Sequence, residues 1–137
     1  MHFPIAIECG DENHAWGVIV PDLPGCFSAG DTLDEAIINA NEAITAHIEL
    51  LLEAGEEIPH VSMVNDLAGN SEFKGFTWAL IDVDVLRLLG GSEKINVTLP
   101  KSLIDRIDRC VARHPEYKSR SGFLAQVALE KITKQTP

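Results

Sequence analysis

Near its C-terminus the chain reads EKINVTLP (residues 93–100), in which apolar and polar side chains alternate strictly. A period of two is typical of a half-buried strand, with one apolar face and one polar face. The polar face carries Lys94, Asn96 and Thr98. Pro100 then ends the strand, because proline has no amide proton for a ladder, and it suits the first turn of a helix.

Two amphipathic helices are predicted after this strand. Apolar residues recur at helical spacing along the first helix, which ends before Pro115. The second helix begins near Ser119 and has an apolar side of its own. The apolar residues are Leu103, Ile104, Ile107, Cys110 and Val111 in the first helix, and Phe123, Leu124, Val127, Ala128 and Ile132 in the second.

One strand with two helices cannot close a core by itself. The strand would leave both edges unpaired, and so short a unit buries too little surface to fold alone. A second copy solves both problems if the two strands pair antiparallel about a two-fold axis. The sequence therefore predicts a homodimer with a two-stranded ribbon, a shape that fits the major groove of DNA.

Residues 93–132 strongly resemble the ribbon-helix-helix repressors. The resemblance consists of the alternating strand ending in Leu-Pro, the amphipathic helix and the Ser-Arg-Ser that opens the second helix. Lys94 can donate to guanine, Asn96 can pair with adenine, and Thr98 can offer a methyl or a hydroxyl group. We expect these three residues to contact bases, although any strand with three polar residues could instead show an ordinary solvated face.

Contacts to DNA phosphates are expected at the start of the second helix. Its first backbone amides and the hydroxyl groups of Ser119 and Ser121 suit an anion, and Arg120 adds positive charge. Gly122 departs from the family pattern, which usually has a Glu or another side chain after Ser-Arg-Ser. This glycine removes a capping-box partner and is expected to weaken the helix start.

Composition bounds the class of protein. The chain has 137 residues, 45% of them hydrophobic, which is normal for a globular protein. No apolar run approaches the length of a membrane span, and the N-terminal residues lack the pattern of a signal peptide, so we expect a cytoplasmic protein that does not enter a membrane. Cys9, Cys26 and Cys110 are scattered and odd in number, as expected for reduced thiols.

The net charge of −10 is divided very unevenly. Residues 1–90 contain 16 acidic residues and only two basic ones, giving −14, whereas residues 91–137 contain nine basic and five acidic residues, giving +4. Such an asymmetry indicates that the two parts face different partners. The C-terminal part suits a polyanion, and the N-terminal part would be repelled by one.

The N-terminal part is predicted to be an α+β layer: a three-strand meander, a helix on one face of the sheet and a returning strand. Its long helix is capped by Thr32 and Glu35 and ends at Gly55. A polar loop follows it. The predicted strands cover residues 3–7, 16–20, 26–28 and 76–81, with one short strand near residues 61–64 and one helical turn within residues 84–89.

The stretch PDLPGCFSAGDTLDEA (residues 21–36) closely resembles the signature of HicB-type antitoxins. That resemblance implies a small, partial RNase H-like fold in an N-terminal domain, residues 1–89. A hinge at residues 90–92 would join it to a ribbon-helix-helix module, residues 93–137. The resemblance further implies an antitoxin that masks a small mRNA-cleaving HicA toxin and represses its own operon at a palindromic operator.

Catalytic and metal sites are not expected. Cys26 lies in a rigid turn without a local histidine partner, so it is interpreted as packing rather than as a nucleophile. Asp31, Asp34 and Glu35 are explained by the start of a helix, and with Asp22 they do not form the converging carboxylates that a nuclease metal site needs. We therefore predict no enzyme activity, no metal and no cofactor.

The acidic N-terminal part suits a basic toxin, because an RNA-cleaving protein must be positively charged to hold RNA. Solubility alone is the simpler explanation for acidic residues, but sixteen acids against two bases exceed that need. Trp16, Asp22 and Phe27 are candidates for contacting the toxin. A repressor that senses a ligand or a partner without any toxin, and a metal-dependent RNase H-like nuclease, are the alternatives; dimer and tetramer both remain open.

Overall fold

A computed structural model describes residues 1–134 as an α+β fold. The first element is a strand, and three further strands and five helices follow along the chain. The strands are β1 (His2–Glu8), β2 (Trp16–Ile19), β3 (Phe27–Gly30) and β4 (Thr77–Asp82), and the helices are α1 (Leu33–Glu53), α2 (Val64–Ala68), α3 (Val85–Leu88), α4 (Lys101–Arg113) and α5 (Arg120–Lys134).

The four strands form one antiparallel sheet in the order β3-β2-β1-β4. This arrangement confirms the predicted three-strand meander followed by a helix and a returning strand. Helix α1 packs on one face of the sheet, where a continuous apolar core is buried. Its most deeply buried large side chains include Phe3, Ile5, Val18, Ile44 and Ile48. Burying this apolar surface is the dominant favourable term in folding the layer.

The turn between β2 and β3 is tied by its own backbone. The Leu23 amide donates to the Val20 carbonyl over 3.1 Å, and the Cys26 amide donates to the Leu23 carbonyl over 2.9 Å. Gly25 adopts a φ of +83°, a conformation that favours glycine. Leu23 and Cys26 are buried, so the turn inserts two side chains into the core.

Helix α1 begins at the predicted cap, Thr32, which forms one half of the predicted capping box. The Thr32 hydroxyl accepts from the Glu35 amide over 3.1 Å, which satisfies one of the free amides of the first turn. Just before it, Gly30 permits close packing of β3 on the helix, since a Cβ at this position would lie 2.5 Å from the Ala36 nitrogen. Gly55, with a φ of +71°, follows the end of the helix.

The short strand predicted near residues 61–64 is wrong. That stretch pairs with no strand, and it leads into helix α2 at Val64. The physical reason lies in the turn before β3, where the Asp22 carboxylate accepts from the Ser62 amide over 2.9 Å and from its hydroxyl over 2.6 Å. A backbone amide bound to a carboxylate is no longer available to a ladder.

The strand predicted over residues 93–99 does not form within the single chain. This segment has no strand pairing, and its apolar side chains are open to solvent: Ile95 is 74% and Val97 is 61% exposed. An isolated extended segment has no neighbour to accept and donate its backbone hydrogen bonds, so a strand here requires another chain.

The C-terminal helix returns to the N-terminal layer. Leu129 on α5 is 5% exposed and joins the main core, and the Thr133 hydroxyl donates to the Leu129 carbonyl over 2.9 Å. His60 Nδ1 donates to the Thr133 carbonyl oxygen. The predicted apolar side of α5 omitted Leu129, whereas Val127 and Ile132, which it included, are exposed in the single chain. Residues 135–137, the end of the predicted 93–137 module, lie outside the described residues.

Candidate protein- and nucleic-acid-binding surfaces

The segment with the predicted base contacts is exposed over residues 93–98. Lys94, Asn96 and Thr98 are all exposed, and Pro100 adjoins them as the N-cap of α4. Their strict alternation with Ile95 and Val97 puts the polar and apolar side chains on opposite faces of any strand that forms here. The arrangement can therefore bury one face and present the other to a ligand.

The predicted phosphate contacts lie in a tightly built corner between α4 and α5. The Ser119 hydroxyl accepts from the Gly122 amide over 3.0 Å, so it caps the helix start, and Ser121 is exposed beside it. Tyr117 stacks edge-on against Phe123, with ring centroids 5.1 Å apart. The chain enters this helix through Lys118, whose φ of 66° is unusual for a residue with a side chain.

Close packing explains why a glycine occupies position 122, and the sequence alone did not reveal this. A Cβ built on it would lie 2.0 Å from the carbonyl oxygen of Tyr117, so only glycine fits this corner. Its amide is capped by Ser119 even though no capping-box side chain is present. The absence of a partner for the capping box is thus offset by close packing between the turn and the helix.

Replacing Gly122 with alanine is expected to destabilise the protein by about 1–3 kcal/mol, the usual cost of forcing an extra carbon into a packed site. Thermal unfolding of the full chain measures it. Gly69→Ala is the matched control, since a Cβ there meets nothing within 4 Å and its backbone φ is −75°. Equal unfolding temperatures for both variants would contradict the close packing inferred at Gly122.

Arg120 has a partner within the chain. Its guanidinium group binds both carboxylate oxygens of Asp108 on α4, with donor–acceptor distances of 3.0 and 2.8 Å. The arginine lowers the pKa of Asp108 through this hydrogen bond, and the carboxylate raises the pKa of Arg120. This pair braces the start of α5 against α4, so much of the positive charge predicted for a phosphate is already neutralised.

The sheet face opposite α1 carries an apolar row that crosses all four strands. The strand register pairs Trp78 with Ala6, Ala6 with Ile19, and Ile19 with Phe27. Phe27 points away from α1, because the adjacent Ser28 hydroxyl donates to a carbonyl of that helix. We call these four residues the outer sheet row.

The outer sheet row is only partly covered. A 3-10 turn at Ser71–Phe73 covers its β4 end, where Phe73 packs edge-on against Trp78 with ring centroids 5.3 Å apart. Phe27 at the other end is 64% exposed, and Leu80 on the same sheet face is 56% exposed. Phe27 and Leu80 lie on opposite edge strands, and exposed large apolar side chains on one sheet face are a common feature of protein-binding surfaces.

The three residues predicted to contact a toxin have different surroundings. Phe27 lies at the open end of the outer sheet row, as just described. Trp16 is half-buried and packs against the main core, and Asp22 is held by Ser62. Neither Ile19 nor Leu80 was singled out from the sequence, because which face of a strand is covered depends on where α1 and the 3-10 turn pack.

The other residues considered as a possible nucleophile or as possible metal ligands lie in the core or around the start of a helix. Burial raises the pKa of the Cys26 thiol, which disfavours the thiolate that a nucleophile needs. Asp31, Asp34 and Glu35 are exposed around the first turn of α1. Within residues 1–134, no three His, Cys, Asp or Glu side chains come together in a way that could hold a metal ion. No helix in that range is long and apolar enough to cross a membrane.

These features define a class of protein: an acidic α+β layer with an open apolar sheet face, joined to a basic helical pair with an unpaired extended segment. The chain belongs to the HicB-like antitoxin family of bacterial toxin–antitoxin systems, whose family model matches residues 3–128. It is accordingly an antitoxin of such a system, and the family is not one of enzymes.

The chain is similar to a solved antitoxin structure and to a phage protein over nearly its whole length, and to a third protein over part of it. The crystal structure of the Burkholderia pseudomallei antitoxin HicB has a TM-score of 0.82 and 45% identity, and the match covers 96% of this chain and 98% of that one. An uncharacterised 14.9 kDa protein of Haemophilus phage HP1 is 49% identical over 96% of this chain and 98% of its own length. A HicA3–HicB3 toxin–antitoxin complex contains a chain with 30% identity and a TM-score of 0.53, matched over 61% of this chain and 99% of that one.

Proposed function

We propose that this antitoxin neutralises a small HicA-type mRNA-cleaving toxin through its acidic N-terminal layer and represses its own operon through a dimeric ribbon-helix-helix module, as in type II systems. The observation that carries the proposal is the division of charge between the two parts of one chain. The acidic part suits a basic RNA-binding protein, and the basic part suits DNA.

The proposed binding of a toxin is supported by a relative and by electrostatics. The related HicB3 was crystallised with HicA3, which is a toxin–antitoxin complex. In this chain, residues 1–90 carry a net charge of −14, and part of that charge comes from acidic side chains exposed along α1. Complementary charge speeds the encounter with a basic protein and opposes binding of the toxin to RNA.

We further propose that the toxin docks on the outer sheet row, at the end where Phe27 is open. Another N-terminal layer is a poor occupant, because two such layers, each with a net charge of −14 over residues 1–90, repel one another. A basic partner removes that repulsion and covers the exposed aromatic ring. Phe27 would then act as the buried anchor that such interfaces usually have.

The proposed binding of an operator by a dimer is supported by apolar side chains that are exposed to solvent in the single chain. Those with large exposed fractions in the C-terminal part are Ile95, Val97, Leu103, Val127 and Ile132. Antiparallel pairing of two 93–99 segments would cover them and complete both strands. The division into residues 1–89, a 90–92 hinge and 93–137, and the partial RNase H-like character of the layer, are part of this proposal.

Asn96→Ala is expected to lower operator affinity by about 1–3 kcal/mol and to relax base preference at one position in each half-site, because alanine cannot form the bidentate pair with adenine. Binding to a set of single-base operator variants measures it. Asn41→Ala, at an exposed position on α1, is the matched control. An unchanged preference at every position would contradict this role for Asn96.

The function as a whole is tested by capturing partners of the tagged full chain in its native host. We expect one small basic protein at near-equal stoichiometry, identified by mass spectrometry and encoded beside the antitoxin gene. Operator binding without such a protein would favour a repressor that senses another ligand. Nucleic-acid cleavage that a chelator abolishes would favour a metal-dependent nuclease.

A further inference from the structure

Three arginines share one side of α4. Arg106, Arg109 and Arg113 are spaced at i, i+3 and i+7, which aligns side chains on a helix, and all three are exposed. With Cys110 and His114 they line one open depression. We call the three arginines the α4 arginine face.

The carboxylates near this face do not neutralise it. Asp108 is occupied by Arg120, and Glu116 lies 3.3 Å from the ring of His114. Arg109 donates to the backbone carbonyl of Asp105 over 3.4 Å, not to its carboxylate. Within residues 1–134, none of the three arginines lies within 4.0 Å of a carboxylate oxygen. So much uncompensated positive charge is unexpected in a chain whose net charge is −10.

The C-terminal end of α4, where Arg113 lies, is fixed relative to the start of α5. Helix α4 ends at Arg113, and a 3-10 turn at Pro115–Tyr117 leads into α5. The rings of His114 and Tyr117 lie 6.1 Å apart, and Tyr117 also stacks on Phe123 of α5. Aromatic contacts therefore fix the end of the arginine face relative to the start of α5.

We infer that the α4 arginine face is a second phosphate-binding surface, which holds the DNA backbone on either side of the bases that the ribbon covers. Guanidinium groups bind phosphate oxygens through paired hydrogen bonds, so three of them in a row suit a polyanion. The face supplies positive charge on α4, whereas the charge of Arg120 at the start of α5 is largely neutralised by Asp108. This inference rests on the proposed binding of DNA by the ribbon.

The test measures how binding of the full chain to duplex DNA depends on salt. Two duplexes of arbitrary sequence are used, one of about 30 base pairs, roughly three helical turns, and one of about 15 base pairs. We expect the double variant Arg109→Gln, Arg113→Gln to bind the longer duplex about tenfold more weakly at low salt. Its plot of log affinity against log salt should flatten by roughly 0.9 for each phosphate that the variant no longer neutralises.

The short duplex should show little difference between variant and native chain, because it lacks the flanking backbone. Lys74→Gln with Arg87→Gln is the matched control, since it removes two positive charges at exposed positions of the N-terminal layer. Arg109→Lys with Arg113→Lys keeps the charge and should keep most of the slope.

A slope for the double glutamine variant equal to that of the control would overturn the inference while leaving the ribbon proposal intact. A fall in oligomeric mass by light scattering, with no change in the slope, would overturn it by showing that the arginines hold another copy's acidic layer. Failure of the native chain to bind either duplex at low salt would overturn the inference, whereas the proposed operator binding is tested separately with operator DNA.

Discussion

Replacing Ile95 with aspartate should convert the protein to monomers that no longer bind the operator. Ile95 is 74% exposed in the single chain. In the proposed ribbon its side chain becomes buried against the helices of both copies. Burying an aspartate there in each copy, without a charged partner, costs at least about 3 kcal/mol. We therefore expect dimerisation to weaken roughly a hundredfold or more, as measured by sedimentation.

Ile38→Asp on α1 is the matched control for this variant. Ile38 is also highly exposed, at 60%, so the same substitution there should leave both the mass and operator affinity unchanged. A stable dimer of the Ile95→Asp variant that binds operator normally would mean that residues 93–99 do not form the ribbon.

Replacing Phe27 with aspartate is expected to abolish neutralisation of the toxin while leaving the fold intact. The ring is 64% exposed in the free chain, so little core packing is removed. Truncating a central aromatic anchor typically costs an interface about 2–4 kcal/mol. That corresponds to roughly 30- to 1,000-fold weaker binding, which titration of the neighbouring-gene toxin into the full chain would measure.

Leu50→Asp separates a local contact from a general effect of charge. Leu50 lies on α1, on the other side of the sheet, and is 66% exposed. The two variants have the same net charge. If electrostatics alone determined toxin binding, both variants would bind the toxin with equal affinity. Equal affinity of the Phe27 and Leu50 variants for the toxin would rule out the outer sheet row as the docking surface.

Local patterns were sufficient for most of the fold. The alternating residues of β1 and β4, and the capping of α1 by Thr32, are signals read within a few positions. Local patterns gave a wrong strand near residues 61–64, because the Ser62 amide donates to the carboxylate of Asp22, which is distant in sequence. No pattern within the segment itself records that contact.

The binding surfaces were harder to predict than the fold. The polar alternation of residues 94–98 can be read directly, but the outer sheet row exists only because β1 brings Trp78 and Ile19 to either side of Ala6. Arg120 shows a different difficulty: its charge predicts a phosphate contact, but the sequence does not reveal that a carboxylate twelve residues earlier binds its guanidinium group. Sequence reveals which side chains are charged, but packing decides which remain free.

The most direct test of antitoxin activity is an RNA-cleavage assay with the purified toxin encoded beside this gene. Adding the full chain at equimolar amounts should suppress cleavage, and the Phe27→Asp variant should fail to do so while the Leu50→Asp variant succeeds. Cleavage that continues unchanged in the presence of excess native chain would contradict the claim that this antitoxin neutralises a toxin of that kind.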